Sequence, residues 1–135
     1  MELILYQVDA FTDTVFKGNP AAVCPLQRWL SDDQMQAIAL ETHLSETAFF
    51  YQDGDAFHLR WFTPAKEVNL CGHATLATAH VLFEHQGYLG RRVTFHSRSG
   101  PLMVERKSDW YYMNFPVDLP TLVPTPKVID AALQL

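Results

Sequence analysis

An α+β domain is what this chain of 135 residues encodes, and three observations point to it. Short runs rich in β-branched and aromatic residues recur along most of its length, divided by turn signals. Ser31-Asp32-Asp33-Gln34 has the form of a capping box and opens an amphipathic helix. An alanine-rich segment then forms a second helix that is apolar on nearly all sides, the mark of a buried helix. The length is one domain's worth, and 48% hydrophobic with 19% charged residues is far from the composition of a disordered chain.

Taken in order, Glu2 to Ala10 reads as the first strand, where Leu3, Leu5 and Gln7 alternate with Ile4, Tyr6 and Val8. Its imperfect alternation suits a strand covered on both faces. Lys17-Gly18-Asn19-Pro20 is a turn signal, and Ala21 to Cys24 is a short apolar strand stopped by Pro25. The capped helix runs from Asp32 to Glu41, with Met35, Ile38, Ala39 and Thr42 at helical spacing. Glu46 to Tyr51 and Ala56 to Thr63 are strands of a hairpin about Gln52-Asp53-Gly54-Asp55, ended by Pro64. The buried helix is Gly72 to His85, closed by Gly87. Three more strands follow: Arg91 to His96, Leu102 to Lys107 and Trp110 to Phe115. Pro116, Pro120, Pro124 and Pro126 then mark an extended linker, and Val128 to Leu135 opens another helix. The expected organisation is one domain over residues 1–116, with a linker and the start of a second domain, itself absent, over 117–135.

Several function classes are excluded. A net charge of −5 argues against a general nucleic-acid binder, which needs a basic surplus to neutralise phosphates. No apolar run approaches the ~20 residues that span a bilayer. Met1-Glu2-Leu3-Ile4 lacks the basic region of a secretory signal, so a cytoplasmic location is expected. Cys24 and Cys71 do not make a disulfide framework, and free thiols are expected, with a bridge between the two left open.

Five residues are candidates for chemistry. Alternation puts Glu46 on one strand face with Ala48 and Phe50, where partial desolvation raises a carboxyl pKa and suits a general acid or base. The plainer reading is a solvated strand-end glutamate, or one paired with an arginine such as Arg60. Gly72 and His73 stand where a loop enters the buried helix, a place with free N–H groups and a positive dipole end that can hold a substrate carboxylate. Equally, Gly72 shapes the junction and His73 is a cap residue. Cys71 is either a thiol activated by that helix N-terminus or a small buried hydrophobe. Asn19 either offers its amide to a ligand or belongs to an ordinary Asn-Pro turn. Cys24, inside an apolar run, reads as packing. His80 and Glu84 share a helix face but lack a third ligand at a telling spacing, so no metal site is expected. No phosphate-binding or dinucleotide loop is present.

Together these pieces resemble the N-terminal half of the phenazine-biosynthesis-like (PhzF-like) isomerases of the diaminopimelate epimerase superfamily. The matching blocks are Val8 to Phe11, Lys17 to Val23, Leu44 to Phe49, Leu59 to Pro64 and Glu67 to Ala77, in that order. The resemblance implies a fold of two similar halves, each a β-barrel-like sheet wrapped around a central helix, with the active site in the cleft between them. It places the catalytic glutamate on Glu46, moving a proton between carbons of a small carboxylate-bearing substrate without a cofactor or metal. It places the Gly-His pair on Gly72 and His73, puts Asn19 in the loop facing substrate, and gives Cys71 a secondary role. Nothing here matches the Asp-Pro-Ala-Thr-Gly-Ser-like loop of the family's second half, so the chain is expected to hold one wall of a two-walled site. The implied partner is a second copy of this chain or a chain carrying the missing half. The rival function is a non-catalytic half-domain that only keeps the fold.

Overall fold

In a computed structural model, which describes residues 1–134, the chain runs β1 (Tyr6–Ala10), β2 (Asn19–Leu26), α1 (Asp32–Thr42), β3 (Thr47–Asp53), β4 (Ala56–Phe62), β5 (Glu67–Val68), α2 (Gly72–His85), β6 (Arg92–Ser97), β7 (Gly100–Lys107), β8 (Trp110–Asn114) and α3 (Lys127–Leu133). The strands form one sheet in the order β1-β2-β3-β4-β6-β7-β8, with β5 added beside β4. The joins β2–β3 and β4–β6 are parallel and the others antiparallel. This is the expected α+β architecture: a sheet curled about one buried helix.

The buried helix sets the curl. α2 buries nine of its 14 residues, so no single flat layer can cover it. Ala74, Ala77 and Ala79 bring strand backbone close, while Val81, Leu82 and Phe83 fill the space among Val23, Phe50, Leu59, Trp61, Phe95, Leu102 and Val104. Fully burying a large side chain such as Phe95 contributes about 1.5–3 kcal/mol. Past the helix end, Gly87 takes a φ of 68°, and the amides of Gln86 and Tyr88 donate to the carbonyls of Val81 and Leu82.

The other face of β2–β4 is covered by α1. Cys24, Phe49 and Phe62 pack there against Met35 and Ala39. With helices on both faces, Thr47 to Phe50 are all buried, and strand alternation disappears from the sequence. The capping box forms as expected: Ser31 Oγ accepts from the Gln34 amide, and the Ser31 amide donates to Gln34 Oε1, both at 3.2 Å. Arg60 then ties α1 to the sheet. Its guanidinium donates to both oxygens of Glu67 at 2.7 Å and to Asp32 in the first turn of α1 at 2.9 Å. Arg60 is therefore committed to Glu67 and Asp32 and is not the partner of Glu46.

Some boundaries differ from the expectation. β1 starts at Tyr6 rather than Glu2, because its pairing with β2 ends at Tyr6 opposite Val23. β2 runs through both of its prolines. Pro20 sits at the strand's start, and Pro25 lies past the last pair with β1. β5 has only two residues, too few to show a period. The tail from Val117 is exposed, and α3 buries no residue. The expected last helix included Leu135, which lies outside the described residues.

Gly18 shapes the entry to β2. Its φ is 79°, and a Cβ there would stand 2.3 Å from the Ala10 carbonyl oxygen. Gly54, at φ 59°, has nothing within 4 Å. Gly18→Ala is therefore expected to cost about 2 kcal/mol or more, and Gly54→Ala about 1 kcal/mol or less. Urea unfolding of the two variants is the check, and equal midpoints would refute the close approach.

Candidate functional site

Glu46 sits immediately before β3, and its carbonyl accepts the amide of Ala22 at 3.1 Å, which locks it between β2 and β3. Ala48 and Phe50 on the same alternation face α2, and so does Glu46. Across from it, Cys71 is the N-cap of α2, with extended backbone and no side-chain capping bond. The Cys71 carbonyl accepts the Thr75 hydroxyl at 2.5 Å, which fixes the helix start.

His73 joins the two elements. Its Nε2 lies 3.3 Å from Glu46 Oε2 and 3.3 Å from Ser45 Oγ, and its Nδ1 lies 3.4 Å from Cys71 Sγ. The imidazole is 9% exposed and the carboxylate 21%, so the contact is largely shielded yet reachable from one side. Hydrogen bonds join Nε2 to Ser45 Oγ and Nδ1 to Cys71 Sγ, while Glu46 meets Nε2 as a close polar contact, so His73 links the thiol on one side of its ring to the carboxylate on the other.

The surroundings of Cys71 hold its thiol in the protonated form. Burial pushes Cys71 up to about 11; the amides of Ala74 and His73 pull down against this, and the Glu46 charge adds to the rise. Of the two readings of Cys71, this favours the buried thiol over the one activated by the helix N-terminus, because loss of water outweighs the helix amides. Burial also raises Cys24 to about 11, in keeping with its packing role. Both cysteines are free.

The other candidates fall as follows. Gly72 packs under the Phe115 ring: a Cβ would stand 3.1 Å from Phe115 Cε2, and the ring would have to give by a few tenths of an ångström to admit it. Asn19 opens β2 at the end of the sheet where Glu46 precedes β3, since Ala22 is level with Thr47. It alternates with Ala21 and Val23 on the α2 face, and among the described residues its amide makes no hydrogen bond to Glu46 or His73. His80 and Glu84 share the Tyr111 hydroxyl, 3.1 Å from His80 Nδ1 and 3.3 Å from Glu84 Oε1, while Arg106 pairs with Glu84 at 2.8 Å. Ser45 escaped sequence reasoning, because a serine before a strand carries no signal of its own. Among the described residues, Glu46, Cys71 and His73 gather donor atoms within 4.8 Å of one another.

A half-barrel sheet around a buried helix, with a carboxylate and an imidazole at the helix start, defines an epimerase-like fold. A hydroxyproline epimerase from Agrobacterium vitis, solved with trans-4-hydroxy-L-proline bound, shares this fold at a TM-score of 0.55 and 12% identity, over 78% of this chain and 38% of that one. The chain belongs to the phenazine biosynthesis-like protein family, whose model matches residues 8–131. A PhzF-family protein of Enterococcus faecalis superposes at a TM-score of 0.88 with 51% identity, covering 98% of this chain and 51% of that one. An uncharacterised isomerase of Pseudomonas aeruginosa is 54% identical over all of this chain and 52% of its own length. A human phenazine biosynthesis-like domain-containing protein is 46% identical over 87% of this chain and 43% of its own. The chain thus spans about half the length of the curated relatives it matches. No helix among the described residues is long and apolar enough to cross a membrane.

Alkylation tests the thiol assignment. With both thiols near 11, native Cys71 and Cys24 are expected to react with iodoacetamide far more slowly at pH 7 than in the urea-unfolded chain. The rate should climb as pH rises toward 11 and the thiolate forms. Mass spectrometry of the digested chain reads both sites, and fast native labelling of Cys71 at pH 7 would refute the assignment.

Proposed function

We propose that this chain carries the proton-transfer wall of a cofactor-independent isomerase or epimerase acting on a small carboxylate-bearing molecule. One observation supports it above the others: the contact at 3.3 Å between Glu46 and His73 at the start of a buried helix. Glu46 takes a proton from a carbon next to an electron-withdrawing group of the substrate. The electron pair left behind spreads into the adjoining π-system. Glu46 then returns the proton to another carbon, or a group opposite returns it to the other face of the same carbon. His73 Nε2–H holds the carboxylate in orientation. The free N–H groups in the first turn of α2 offer a place for the substrate's own carboxylate. Asn19 faces the substrate from the start of β2. The partners follow from this reading: a small molecule, a cytoplasmic setting, and a second wall supplied by another copy of this chain or by a chain carrying the missing half.

The role of Glu46 is tested by deuterium uptake from D2O into a panel of small unsaturated and amino carboxylates, followed by NMR. Glu46→Gln keeps the shape but cannot carry a proton, so uptake is expected to fall by about 10²–10⁴-fold. Cys71→Ser is expected to leave most of the rate. An unchanged rate in Glu46→Gln would refute the mechanism, and abolition by Cys71→Ser would hand the proton to the thiol.

Association is a separate expectation. Leu119, Leu122, Val123, Val128 and Leu133 are all largely exposed, and apolar patches of this kind mark interfaces. Light scattering at micromolar concentration is expected to give a mass above the 15.4 kDa of one chain. A folded species at the single-chain mass would refute it.

A further inference from the structure

We propose that Cys71, His73 and Glu46 bind one soft divalent cation, of the zinc or cadmium class, and that the bound ion silences Glu46. Three donor types from two elements meet here: a thiol, an imidazole and a carboxylate, with donor atoms within 4.8 Å of one another. Bond lengths of about 2.0–2.3 Å put the donors of a tetrahedral zinc ion roughly 3.4–3.6 Å apart. Cys71 Sγ and His73 Nδ1 already stand at 3.4 Å, both held by the start of α2. This pair forms the fixed half of the site.

Glu46 is the part that moves. Its carboxylate now lies against the opposite ring nitrogen, Nε2, and it is the most exposed of the three side chains. It swings from Nε2 to the ion. The Nε2–H that it leaves still has an acceptor, because Ser45 Oγ lies 3.3 Å away. A metal-bound histidine needs such an outer partner on its other nitrogen to fix the tautomer, and Ser45 supplies it. Three protein ligands leave a fourth position for water. On binding, the Cys71 S–H bond breaks, its proton goes to solvent and an S–metal bond forms, with no change in oxidation state.

The choice of ion follows from the donors. A thiolate with an imidazole selects zinc or cadmium over magnesium or calcium, which prefer sets made entirely of oxygen. The ion is an inhibitory ligand rather than a working part, since it occupies the carboxylate and detaches it from His73. That consequence rests on the proposed role of Glu46; the binding itself does not.

The test is a titration of the 135-residue chain with CdCl2 under reducing, chelator-free conditions, reading the ultraviolet charge-transfer band of a cadmium–thiolate bond. One equivalent per chain is expected to develop the band. Cys71→Ala is expected to abolish it and Cys24→Ala to leave it. His73→Asn and Glu46→Gln should each weaken binding by about tenfold or more, as far-UV circular dichroism confirms folding. No band in the parent chain overturns the proposal. So does a band that survives Cys71→Ala, or affinity unchanged in both His73→Asn and Glu46→Gln. Should Cys24→Ala fail to fold, the parent chain against Cys71→Ala decides alone. Binding with these signatures, but with deuterium uptake insensitive to Glu46→Gln, would sustain the metal site and sink the catalytic reading.

Discussion

A helix that is apolar on nearly all sides must be surrounded, and that constraint orders the rest of this molecule. α2 has too few polar side chains to lie on a surface, so strands from both ends of the sheet curl round it. Its ends are then the only places where its backbone polar groups remain free. The N-terminal end meets the edge of the sheet where β2 and β3 begin side by side. Glu46, Ser45, Cys71 and His73 converge there.

Within that cluster, dehydration decides the electrostatics. A helix N-terminus favours a thiolate, yet Cys71 stays protonated because burial disfavours charge more strongly than two amides favour it. The neutral thiol lies within hydrogen-bonding distance of His73 Nδ1, and Glu46 lies against Nε2 on the other side of the ring. Arg60 contributes by its absence from the site: Glu67 and Asp32 occupy it fully on the opposite face of the sheet.

Features set by neighbours in the chain were readable in advance. The capping box announced α1, the all-round apolar pattern and Gly87 announced α2, and the hairpin about Gly54 was plain. The side of β3 taken by Glu46 followed from Ala48 and Phe50. What depended on distant residues was hidden. The run of β2 through Pro20 and Pro25 is allowed only by where its pairing with β1 begins and ends. β5 exists because β4 offers it an edge. The state of Cys71 depends on how much water the finished fold excludes, and the part played by Ser45 on a ring 28 residues away. Phe115, which fills the space beside Gly72, lies further still along the chain.

The two parallel joins carry a consequence for how the chain assembles. β2 reaches β3 only after α1, and β4 reaches β6 only after α2. Neither pairing can form by zipping up a hairpin, since each must close a long loop before any contact rewards it. The sheet also wraps α2, so its packing too joins residues far apart in the chain. The rate of assembly belongs with domains dominated by non-local pairing, on the order of milliseconds to seconds rather than microseconds.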